Sequence, residues 1–170
     1  MSDSQILNER DLEQLKTWLK QPSCPSRGSS AQLLFRASRD GWYAENFHSK
    51  CDGKGPTVVI AKSVGGHIFG GYAEKSWDSS NTWKECRQSF LFALSNPDGA
   101  EASQHLIFQN FSLGMFCDHS EGLGPCFGNR DLYFMYSQAF LGSGHCHSTL
   151  RVGADGEFKF LAESDRVHGI

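Results

Sequence analysis

Leu33–Trp77 reads LLFRASRDGWYAENFHSKCDGKGPTVVIAKSVGGHIFGGYAEKSW, and its second half decides the fold. Thr57–Lys62 and His67–Ala73 are two β-rich runs either side of Val64-Gly65-Gly66, whose paired glycines permit the positive φ of a tight hairpin. Before them, Gln32–Ala37 reads as a strand and Tyr43–Cys51 as a short helix that the Asp52-Gly53-Lys54-Gly55-Pro56 turn ends. After them, Ser89–Ser95 is an apolar strand closed by the turn Asn96-Pro97-Asp98-Gly99. Further strands are expected at His105–Phe111, Gly114–Cys117, Leu132–Tyr136, Ser148–Val152 and Glu157–Leu161. Strands joined by short turns, without a helix between each pair, argue for antiparallel pairing. The expected fold is α+β and β-dominated, a two-sheet antiparallel β-sandwich flanked by short helices that cover its edges or ends.

Toward the N-terminus, Asn8 caps a helix of about three turns, with Asp11 in the capping-box position and Leu7 and Leu12 as the halves of a hydrophobic staple. Leu12, Leu15, Trp18 and Leu19 share the face by which it docks, and the helix stops before Pro22. The organisation read from this pattern is a packed helix in 1–21, a Pro/Gly/Ser-rich linker in 22–30, and a sandwich in 31–170, all within one domain.

The chain of 170 residues is 39% hydrophobic, enough for a substantial core, and its thirteen Phe, four Trp and four Tyr suit a sheet-rich interior. Sixteen basic and nineteen acidic residues leave a net charge of −3 without a basic cluster, so no nucleic-acid partner is expected. No apolar run has the length of a signal peptide or a membrane span, which predicts a soluble cytoplasmic protein without membrane insertion. The six cysteines, at 24, 51, 86, 117, 126 and 146, form no CxxC pair and are expected as thiols. Asn110-Phe111-Ser112 matches a glycosylation sequon but would need a secretory route.

Motifs for chemistry are sparse. Gly53-Lys54-Gly55-Pro56-Thr57 fails the Walker spacing, and Pro56 removes an N–H that a phosphate cradle would use, so it reads as a helix-to-strand turn with Lys54 solvated. Gly65-Gly66-His67-Ile68-Phe69-Gly70-Gly71 lacks the dinucleotide-binding spacing, and Gly70-Gly71 inside a strand suggests a bulge or a close backbone crossing. His145 and His147, on one face if Cys146 lies in a strand, are weak metal candidates beside a loop-histidine reading. His48, Cys51 and Asp52 fall one helical turn apart, the most suggestive cluster for a nucleophile, although the reading preferred on these residues is Cys51 as a small buried helix-end residue and Asp52 as a turn former. With no GxSxG and no HExxH, neither an enzymatic activity nor a cofactor is expected.

Arg36-Ala37-Ser38-Arg39-Asp40-Gly41-Trp42, Phe47-His48, Cys51-Asp52-Gly53-Lys54-Gly55-Pro56-Thr57 and Ile68-Phe69-Gly70-Gly71-Tyr72, resumed at Gly124-Pro125-Cys126-Phe127-Gly128 and Asp131-Leu132-Tyr133, resemble the TLDc domain family. The resemblance implies a β-sandwich flanked by helices, an interaction module without an established enzymatic mechanism, an association with oxidative-stress protection, and binding to the peripheral sector of the vacuolar proton ATPase. It implies scaffold roles for Arg36, Ser38, Arg39, Asp40, Gly41, Cys51, Asp52, Gly53, Gly55, Pro56, Gly70, Gly71, Gly124, Phe127, Gly128 and Asp131. Two departures stand out: Tyr43 takes the place of the small hydroxyl residue that usually caps the helix, and the closing segment puts Asp165, Arg166 and His168 at the usual aliphatic, Glu and aromatic positions. That last strand therefore reads as an edge. The alternative function is a thiol-based redox protein acting through an exposed cysteine, Cys51 first.

Overall fold

The computed structural model describes residues 6–20, 31–63, 65–97, 99–106, 115–117, 123–128, 132–134 and 167–169. Asn8 opens helix α1 (Glu9–Leu19): its extended backbone lets Oδ1 accept the Asp11 N–H at 2.8 Å, satisfying one of the orphan donors of the first turn. The helix turns Leu15 and Trp18 inward, 0% and 8% exposed, each burial contributing about 2–3 kcal/mol. The inward stripe differs from expectation at one position. Asp11 is buried and Leu12 is only half-buried, because 11, 15 and 18 follow the helical period from the two anchors.

The strand expected over Gln32–Ala37 is not formed. Residues 31–36 run without a ladder partner into a single helical turn, α2 (Ala37–Asp40). The cause is local: the Asp40 carboxylate accepts the Arg36 N–H at 2.8 Å, closing the chain on itself, and a side-chain acceptor at that spacing outcompetes sheet pairing. Leu34 and Phe35 still reach the core as partly buried neighbours. Helix α3 (Ala44–Cys51) buries Ala44, Phe47, His48 and Cys51, one face at helical spacing.

Two antiparallel sheets follow. β1 (Thr57–Ser63) and β2 (Ile68–Ala73) form the hairpin, in register from Thr57 opposite Ala73 to Lys62 opposite Ile68. Among the described residues of its turn, Gly66 has a positive φ, and its N–H donates to Ser63 O at 3.0 Å. β4 (Phe90–Ser95) lies on the far side of β2 and turns at Gly99 into β5 (Ser103–Leu106). β9 (Val167–Gly169) pairs with β1 and forms the other edge, giving the order β5-β4-β2-β1-β9. The second sheet has the order β3-β6-β7-β8, built from Thr82–Lys84, Met115–Cys117, Cys126–Phe127 and Leu132–Tyr133. The segments expected at Ser148–Val152 and Glu157–Leu161, and the linker expected at 22–30, lie outside the described residues.

Alternation along the strands divides the interior into two layers. One face of the five-stranded sheet sends Ile68, Tyr72, Phe90, Phe92 and Leu94 under α1. The other sends Ala61 and Ala73 against Phe47 and Cys51 of α3, Trp77, and Phe127 and Leu132 of the second sheet. The register between β2 and β4 shifts at Ile68/Phe69. The glycine pair itself is in regular register, Gly70 opposite Phe92 and Gly71 opposite Leu91, so the bulge reading does not apply there.

Candidate functional site

The motif residues gather around the end of α3 and the segment 76–79. Asp40 is held by Arg39 through two bonds, Nε to Oδ1 at 2.8 Å and Nη2 to Oδ2 at 2.7 Å, with Lys50 Nζ 4.0 Å away. Those bonds, and the Arg36 amide, hold the Asp40 carboxyl well below the usual carboxylate range. Arg36 is the N-cap of α2, and Ser38 is exposed on it. Gly41 has φ +111, and a Cβ there would sit 2.4 Å from Asn46 Oδ1. That oxygen accepts the Tyr43 N–H at 3.0 Å, the reciprocal half of a capping box. Tyr43 makes no side-chain cap bond of its own, so Asn46 supplies the N3 half of the box without the bond that a small hydroxyl residue at the cap would accept.

At the other end of α3, Asp52 is the C-cap. Its Oδ1 lies 2.8 Å from His48 Nδ1, and its Oδ2 accepts the Ser79 hydroxyl. His48 is buried, and Nε2–H donates to Leu123 O at 3.1 Å. Ser79 Oγ is also 3.4 Å from His48 Nδ1. A serine, a histidine and a carboxylate therefore meet, but in the wrong order for nucleophile activation. A relay needs the serine and the carboxylate on opposite ring nitrogens, whereas here both lie at Nδ1 and Nε2 is committed to a carbonyl. The cluster ties α3 to the 76–79 segment and to Leu123, 75 residues further along the chain. Ser79 is held there at φ 53, in the left-handed region.

The turn between α3 and β1 is anchored to the same segment. Gly53, at φ +68, donates its N–H to Trp77 O at 2.8 Å; Gly55, at φ +83, donates to Ser76 Oγ at 2.8 Å. Pro56 and Lys54 are exposed. Trp77 is fully buried, donates Nε1–H to Thr57 Oγ1 at 2.8 Å, and meets Phe47 and Phe127 edge-on at 5.8 and 5.5 Å. Gly70 and Gly71 are places where a side chain has no room. A Cβ on Gly70 would be 1.9 Å from Val59 O, and one on Gly71 would be 2.7 Å from the Phe127 ring. Gly124 and Phe127 are buried, and Gly128 turns with φ 63.

Cys51 is not an exposed thiol. It is 3% exposed, and burial, with Asp52 and Asp40 adding to it, pushes its pKa up to about 12, the opposite of the lowered value a reactive thiolate needs. Burial likewise pushes Cys86 up to about 11, and Cys126 is fully buried. No group of three or more His, Cys, Asp or Glu placed to hold a metal occurs among the described residues. His145, His147 and Asp131 lie outside them.

Sequence spacing missed Ser79, Leu123, Ser76 and Trp77, whose partners lie 20–75 residues away in a chain without a repeat. Asn46 was missed as well, although its place three residues beyond the cap position is a signal that could have found it.

The TLDc domain profile matches this chain over residues 1–166. The chain belongs to the TLDc domain family. Among curated proteins, the TLDc chain is similar to MTOR-associated protein MEAK7 of Danio rerio, 30% identical over 63 residues, which are 37% of this chain and 14% of that protein. The Gallus gallus protein of the same name is 30% identical over 122 residues, 67% of this chain and 24% of that protein. The Mus musculus protein is 23% identical over 133 residues, 75% and 28%. The TLDc chain thus spans at most 28% of the length of these relatives. Among the described residues, no helix is long and apolar enough to cross a membrane.

Proposed function

We propose that this TLDc chain is a non-enzymatic protein-interaction module, a single domain in which the two sheets are the layers of a β-sandwich over 31–170, with α1 docked on it. The observation that carries this reading is the fate of the motif's reactive groups. Asp40 is spent on Arg36 and Arg39, Asp52 on His48 and Ser79, and His48 Nε2 on Leu123 O. Groups committed to one another in this way fix shape, and a shaped surface is what a binding partner uses. The partner is the peripheral sector of the vacuolar proton ATPase, met in the cytoplasm, and the setting is protection against oxidative stress; family membership supports both. The name of the curated relatives makes an mTOR-containing assembly the second partner to examine.

The test is affinity capture from a cell extract with the full chain, beside a TLDc domain that retains ATPase subunits. Recovery of those subunits supports the reading. Their reproducible absence, with the control positive, overturns the ATPase assignment. A turnover measured with the pure chain and lost in Asp52→Asn or His48→Gln variants that remain folded would overturn the non-enzymatic one.

A further inference from the structure

Helix α1 sits on the five-stranded sheet with a defect. It turns Asp11, Leu15 and Trp18 inward at i, i+4 and i+7, and they are 4%, 0% and 8% exposed. Leu15 and Trp18 rest on Ile68, Tyr72, Phe90, Phe92 and Leu94, with the Trp18 and Phe92 rings 6.2 Å apart. Asp11, in contrast, has a buried carboxylate oxygen, Oδ2, with no hydrogen-bond partner among the described residues. A charged oxygen removed from water without compensation opposes the docking of the element that carries it. No donor among the described residues reaches that oxygen, so this first position of the seat suits an apolar side chain better than the acid α1 places there.

An eleven-residue helix is also too short to persist alone in water, so α1 is ordered by this seat. Everything it contributes, one aliphatic and one aromatic anchor a turn apart, another helix of the same pattern can supply. We infer that the face formed by Ile68, Tyr72, Phe90, Phe92 and Leu94 is a helix-docking surface, covered in cis by α1, whose occupant in the complex is an amphipathic helix of a partner protein. That helix carries apolar residues at i, i+4 and i+7, the first in the place of Asp11. The recognition mode is helix-in-groove, with α1 as a built-in competitor weakened by one buried charge. The inference rests on the interaction-module reading and deepens it, by naming the surface and the kind of helix that fits it.

The experiment uses the full chain and a fluorescent synthetic peptide copying Ile6–Lys20 with Asp11→Leu. Saturable binding is expected, with an observed rate that stops rising at high peptide concentration because α1 must first leave its seat. The same peptide with Leu15→Ala and Trp18→Ala should bind at least about tenfold more weakly. Hydrogen exchange on the full chain gives a second readout. The α1 amides should exchange faster than those of β2 and β4, and Asp11→Asn, which removes the charge at nearly constant shape, should slow α1 exchange by about tenfold while leaving β2 and β4 unchanged. Exchange of α1 only together with β2 and β4, or absence of peptide binding, would overturn the proposal. Dimers of the unsubstituted chain in which α1 of one copy covers the other would replace the partner helix by a second copy. Failure of affinity capture for ATPase subunits leaves these measurements untouched, so the two readings fail separately.

Discussion

Gly71→Ala adds one carbon and a net two hydrogens to β2, a strand whose propensity alanine should not harm, and the structure says that it destabilises. The added Cβ would lie 2.7 Å from Phe127 Cε1 and Cζ and 2.9 Å from Cε2. Carbon atoms in ordinary contact sit about 3.5–4.0 Å apart, so ring and strand must separate by about 1 Å. The ring is confined: Phe127 is fully buried, and Trp77 meets it edge-on at 5.5 Å. Overpacking of this kind costs about 1–3 kcal/mol. The reduced freedom of the unfolded chain returns about 0.4–1 kcal/mol, leaving a net loss of about 1–2 kcal/mol. At this chain length that is a fall of about 2–8 °C in Tm. The assay is thermal unfolding together with urea titration, on Gly71→Ala, Phe127→Leu and the double variant. Because the clash needs both partners, the cycle should show a coupling of about 1 kcal/mol, the smaller ring substitute absorbing much of the alanine. Gly71→Val should be worse than Gly71→Ala in spite of valine's higher strand propensity. An unchanged or raised Tm for Gly71→Ala, or strict additivity with Phe127→Leu, would refute the packing argument. Lost partner binding at undiminished stability would make Gly71 a contact residue instead.

His48→Leu should cost about 2–4 kcal/mol in urea unfolding, since it strands Leu123 O and removes the link between α3 and Asp52. Asp40→Asn should lower stability at neutral pH and flatten its acid dependence. The folded carboxyl is depressed, so its contribution is complete above the unfolded value of about 3.9 and fades as pH falls toward the folded one; wild type and variant should therefore draw together as pH falls below that unfolded value. Native-state alkylation followed by mass spectrometry should leave Cys51, Cys86 and Cys126 unmodified until denaturant is added, and fast labelling of Cys51 at neutral pH would contradict its burial and raised pKa.

What the sequence made legible is what neighbours in the chain decide. The β1–β2 hairpin announced itself through Val64-Gly65-Gly66 and two apolar runs, and it forms with the expected antiparallel pairing. Helix α1 was legible in its cap, Asn8 to Asp11, three residues apart. The expected strand at Gln32–Ala37 failed for an equally local reason that apolar patterning does not weigh. Leu33, Leu34 and Phe35 look like a strand, but Asp40 can reach back to the Arg36 amide and coil the chain into a turn. Here the competitor to sheet pairing was a single side-chain acceptor.

The rest needed the third dimension. His48 and Asp52 were visible as a helical pair, yet whether such a pair is reactive depends on what faces the second ring nitrogen, and that is a carbonyl 75 residues away. Gly70 and Gly71 could be marked as positions where a side chain would collide, but not with what. Alternation sends the two toward opposite faces, one against Val59 O and Phe92, the other against Phe127 of the second sheet. The two glycines therefore serve different contacts. Gly70 lets the β1 backbone and Phe92 close under α1, and Gly71 lets the second sheet seat its central ring. A substitution at Gly70 must move a ladder carbonyl, whereas one at Gly71 need only move a ring, so Gly70→Ala should be the more damaging of the pair, and the reverse order would mean that the sheets, not the strands, limit how tightly this domain packs.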